Sequence, residues 1–154
     1  MGCDIHMYAE TLDKQGNWQP SDTKDFVVNK WIANLDKEEI EDDEGLLATN
    51  VVDTERNYWL FGVLNNVRSE WPFSFSDKGF PDNASDCVRK QFDYWESDAH
   101  SPNYLTKREL STKIMELLIS HEKDAFENAT YLKEINDKLF GDPDTQRVVF
   151  WFDN

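Results

Sequence analysis

Arg147-Val148-Val149-Phe150-Trp151-Phe152-Asp153 is the stretch that decides the fold. In an extended chain successive side chains point to opposite faces, so Val148, Phe150 and Phe152 share one face and Val149 and Trp151 the other. Both faces are apolar. A strand that needs cover on both faces belongs inside a sheet, so residues 147–153 are predicted to form a central strand. Its neighbour is expected from the other end of the chain. Residues 3–10 alternate as well, with Ile5, Met7 and Ala9 on one face and Asp4, His6, Tyr8 and Glu10 on the other. The turn-forming run Lys14-Gln15-Gly16-Asn17 then leads to Trp18, which opens a partner strand in a hairpin.

Helical spacing fills the middle of the chain. Arg56 to Leu64 begins a short helix, with Leu60, Val63, Leu64 and Val67 on one stripe. Asn83 or Ser85 can cap a helix over about 84–95. Thr106-Lys107-Arg108-Glu109 fits a capping box. The stripe Leu110, Ile114, Leu117 and Leu118 follows, and a second stripe of Ala125, Ala129, Leu132, Ile135 and Leu139 ends at Gly141. Both stripes are read as core-facing. Residues 69–83 read as loop, 97–102 as a polar turn, and 24–35 are ambiguous. The order strand, strand, helices, strand predicts one α+β domain over residues 1–154. It is a small antiparallel or mixed sheet with the N- and C-terminal strands adjacent, packed by three to five helices.

Charge bounds the function. The 154 residues carry 16 Lys+Arg against 31 Asp+Glu, a formal net charge of −15. Such a chain repels nucleic acid and anionic membrane and attracts basic protein surfaces. Aromatic residues make up 14%, with Trp18, Trp31, Trp59, Trp71, Trp95 and Trp151 spread along the length, which points to a folded globule rather than an acidic tail. The run from Asp36 to Glu44 is either a solvated loop or helix end, or a contact patch formed by Glu38, Glu39, Glu41, Asp42, Asp43 and Glu44. No basic region followed by an apolar run opens the chain, and no stretch approaches the ~20 apolar residues of a membrane span. The expected compartment is the cytoplasm, with Cys3 and Cys87 as free thiols. Gly2 suggests myristoylation, but His6 stands where that pattern needs Ser or Thr. The glycosylation sequons at Asn83 and Asn128 read as chance matches.

No Gly-rich phosphate loop, nucleophile elbow, His-Glu-x-x-His or Cys-x-x-Cys is present. The chemistry-bearing residues lie in short polar clusters. Asp4 and His6 share one strand face, where they are either the polar side of a half-exposed strand or converging ligands. Asp98, His100 and Ser101 form a second cluster. If the two meet, Asp4, His6, Asp98 and His100 make a divalent-ion site suited to Zn or Mn. Cys3 points to the opposite strand face from Asp4 and His6 and is read as a small buried residue. In the third cluster, Asp53, Arg56, Asn57 and Tyr58 stand at a helix start. There Arg56 either holds an anion such as phosphate or closes a structural salt bridge.

The order of these blocks resembles a family of small proteins from bacteriophages, prophages and bacterial genomes. The opening Met-Gly-Cys-Asp-Ile-His-x-Tyr-x-Glu is one shared block and Arg56-Asn57-Tyr58-Trp59-Leu60-Phe61 another. Gly79-Phe80-Pro81-Asp82-Asn83-Ala84-Ser85, then Asp98-Ala99-His100-Ser101 with Tyr104-Leu105-Thr106, and the closing Phe150-Trp151-Phe152-Asp153-Asn154 complete the pattern. Tyr104 stands where the family commonly has Trp, and the acidic run 36–44 is not part of the pattern. The resemblance implies a phage-type context and brings no activity with it. It singles out the same polar clusters.

Two functions are therefore expected. The first is a phage-type accessory protein that inhibits a host defence factor by binding a basic surface through acidic mimicry of nucleic acid. It would work without binding nucleic acid itself. The second is a metal-dependent hydrolase or binder of a nucleotide-like phosphate ligand, using a pocket of Asp4, His6, Arg56, Asn57, Tyr58, Asp98, His100 and Ser101.

Overall fold

The computed structural model describes residues 2–21 and 51–154. The ambiguous stretch 24–35 and the acidic run 36–44 lie outside the described residues. Strands β1 (Asp4–Leu12), β2 (Trp18–Pro20), β3 (His100–Thr106) and β4 (Gln146–Asp153) form an antiparallel sheet in the order β2-β1-β4-β3. The N- and C-terminal strands are neighbours, as predicted, in a register running from Asp4 opposite Asp153 to Thr11 opposite Gln146. Helices α1 (Tyr58–Asn65), α2 (Asp86–Trp95), α3 (Lys107–Ile119) and α4 (Ala125–Asp137) pack the sheet, and a 3-10 turn (Glu96–Asp98) joins α2 to β3. This is a small single-domain α+β protein.

The doubly apolar pattern of β4 is satisfied by a layer on each face. On one face Cys3, Met7, Ala9, Leu105, Val148, Phe150 and Phe152 join a core with α1, α3 and α4. On the other, Tyr8, Val149 and Trp151 pack with Val88, Phe80, Phe92 and Trp95 around α2. Caps match the chain's chemistry. Ser85 accepts from the Val88 amide at the start of α2, and Thr106 and Glu109 form the reciprocal capping box of α3. Leu118 departs from expectation. Leu110 and Leu117 are buried, whereas Leu118 is 50% exposed, because a helical stripe of that width has only its centre against the core.

Strand β3 was not foreseen, since Ser101 and Pro102 carry turn chemistry. It forms because it lies at the sheet edge and is bulged. Its register with β4 shifts between His100 and Asn103, Ser101 sits at φ 51°, and Pro102 falls within the irregularity, where a missing amide donor is tolerated.

A buried ion pair ties this framework together. Arg147 Nη2 meets Glu10 Oε1 at 2.7 Å, with side chains only 2% and 0% exposed. Glu10 also accepts from the Ser85 amide at 2.7 Å, and Arg147 donates to Asn83 Oδ1 at 3.0 Å. The guanidinium lies 4.0 Å from the centre of the Trp18 ring. Burial pulls the Arg147 pKa down, against the pull of Glu10.

Candidate functional site

Most of the predicted polar residues gather at one end of the sheet, where β1 begins, β4 ends and β3 begins. They form two networks rather than one pocket. The first is built on β1 and the end of β4. His6 Nε2 lies 2.7 Å from Asp153 Oδ2, and the Asp4 amide donates to Asp153 Oδ1 at 3.3 Å. An ionised carboxylate only accepts, so Nε2 carries the proton and Nδ1 keeps the lone pair. The imidazole packs on Trp95, ring centres 4.2 Å apart, and on Trp151 at 5.9 Å. Asp4 accepts from Arg56 Nε at 2.8 Å, and the Cys3 amide donates to the Tyr58 hydroxyl at 3.3 Å.

The second network joins β3 to the chain end. His100 Nδ1 is 3.0 Å from Ser101 Oγ, and its Nε2 is 3.2 Å from Asn154 Oδ1. Arg68 Nη2 donates to that same Asn154 oxygen at 3.3 Å, and Asn65 Nδ2 donates to the Ser101 carbonyl at 2.9 Å.

The four-residue metal set is not assembled. Among the described residues no three His, Cys, Asp or Glu side chains gather as ion ligands. The cause lies in the register. His6 pairs with Trp151 and His100 with Phe152, and these neighbours on β4 face opposite ways. Counting by twos from Tyr104, which shares the Val149 face, would put His100 on the face of His6. The bulge reverses it. Asp98 lies exposed in the 3-10 turn. Of the two roles weighed for Arg56, the salt bridge is the one present. Arg56 is engaged by Asp4, and Asn57 caps α1 by accepting from the Trp59 and Leu60 amides. Cys3 is buried, and its thiol is pushed up by burial. Burial also raises the Cys87 thiol, to about 11, so neither cysteine is poised as a nucleophile.

Sequence reasoning missed Asp153, Trp95, Arg68 and Asn154. Asp153 and Asn154 stood in the closing block and became partners only through the register of β1 on β4. Arg68 and Trp95 carried no motif.

Burial holds the His6 imidazole below the ordinary histidine range, outweighing Asp153, which acts in the opposite sense. The folded state therefore favours neutral His6. The unfolded chain takes up its proton near pH ~6.5, so this group's contribution to stability is full above that value and is lost as pH falls below it. Denaturant midpoints measured from pH 7 to pH 5 should fall more steeply for the native chain than for His6→Gln. Parallel pH profiles would contradict this environment for His6.

Compared with known proteins, the chain matches no family model, no curated protein and no solved structure.

Proposed function

We propose that the chain binds a host protein with a basic surface, such as the nucleic-acid-binding face of a defence factor, and inhibits it by occupying that surface. The observation that carries this reading is the surplus of carboxylates. Arg56, Lys78, Arg108, Lys113, Lys133 and Arg147 each pair with a carboxylate of the chain itself. Each such pair uses one charge of either sign, so internal pairing leaves the net charge at −15. Surplus charge of one sign speeds encounter with the opposite sign and selects against like-charged partners. An apolar stripe gives the same reading a contact surface. On α3 Met115 stands one turn before Leu118 and Ile119, at 60%, 50% and 75% exposure. The phage-type resemblance supplies the context of a host target. No helix among the described residues is long and apolar enough to cross a membrane.

The test is capture from bacterial extract on the immobilised chain. A retained basic protein should elute with rising salt and with added duplex DNA, which competes for the same surface. Retention indifferent to both would contradict acidic mimicry.

A further inference from the structure

We propose that Ser101, His100 and Asn154 form a metal-free acyl-transfer centre in which Ser101 is the nucleophile. For a neutral imidazole the hydrogen-bond partners assign each proton. A guanidinium can only donate, so the Asn154 atom facing Arg68 at 3.3 Å is its carbonyl oxygen. That same oxygen faces His100 Nε2 at 3.2 Å, so Nε2 is the protonated nitrogen. His100 Nδ1 then holds the lone pair, and the Ser101 hydroxyl, 3.0 Å away, donates to it. A hydroxyl donating to an imidazole whose other nitrogen is held by an amide oxygen is the arrangement that activates a serine. His100 acts as the base and Asn154 as its positioning residue.

The backbone supplies a second, independent observation. Ser101 and Arg68 are both non-glycine residues at positive φ, 51° and 61°. Left-handed backbone of this kind is costly and is held in place only by its surroundings. Here the Asn65 amide binds the Ser101 carbonyl. Both strained residues contribute a side chain to the unit around His100 and Asn154. His100 and Ser101 are both half-buried rather than enclosed in the core.

The substrate class is a carboxylic ester. The Ser101 oxygen adds to the carbonyl carbon while its proton passes to His100 Nδ1. The carbon–oxygen bond to the alcohol then breaks, and the departing alkoxide takes that proton. Water repeats the sequence on the acyl-serine, which releases the acid and restores the hydroxyl. The positive charge of Arg68, on the same Asn154 oxygen, suits a centre where negative charge develops.

The test uses the full chain and an alkyl fluorophosphonate, which adds to an activated serine with loss of fluoride. Mass mapping should find one adduct, on Ser101. Ser101→Ala should abolish it, and so should Ser101→Gly, which relaxes the left-handed backbone and guards against misfolding. His100→Gln should slow labelling about a hundredfold or more, the usual contribution of a general base. Asn154→Ala should slow it too, while Asn154→Asp, which keeps the acceptor oxygen, should restore it. No adduct on the native chain, an adduct elsewhere, or equal labelling of His100→Gln would overturn the proposal.

Discussion

Phe152→Ala is expected to destabilise the fold by about 3–5 kcal/mol, the range for truncating a buried aromatic in a core that relaxes only partly. Phe152 is 0% exposed. Its ring meets Phe61 of α1 edge-on at 5.1 Å and Phe150 at 5.9 Å, so the deletion leaves a void between the central strand and its helical layer. Urea or guanidinium unfolding measures it. A loss below about 1 kcal/mol would show that the β4 face is not closed as described.

Arg147→Met should cost a comparable amount, about 3–5 kcal/mol, for a different reason. The Glu10 carboxylate would stay buried with the Ser85 amide and without its cation. The same principle predicts a recovery. Glu10→Leu combined with Arg147→Met removes both charges from an enclosed site, and the double variant should be more stable than Arg147→Met alone. Unfolding of both single variants and the double closes the cycle. Losses that simply add would mean that the two charges do not depend on each other.

The contrast between these two sites shows how legible the fold was. The packing of Phe152 could be read directly, because alternation within one strand fixes which side chains share a face. So could the β1–β4 pairing, the capping box of α3 and the helical stripe over 125–139. The Glu10–Arg147 pair could not be read. Each residue looks like an ordinary exposed charge, and only the register, with Glu10 opposite Arg147, puts both under α2 and its entry loop. The two histidines show the same limit more sharply. The clusters were recognisable, and residues of all three meet at one end of the sheet, in two networks without Asp98. Whether His6 and His100 face each other depends on a bulge that has no signature beyond Ser101-Pro102, which reads as a turn. One inserted residue turned an expected metal site into two separate networks on opposite faces.

Six cations among the described residues pair with the chain's own carboxylates, and the sequence as a whole keeps a net charge of −15. Association kinetics with the basic protein captured from extract tests the role of that charge most directly. The on-rate should fall steeply as salt rises, and reversing Glu38, Glu39, Glu41, Asp42 and Asp43 to Lys should lower it and flatten its salt dependence. An on-rate that is unchanged by salt and by the five reversals would contradict binding through the acidic surplus.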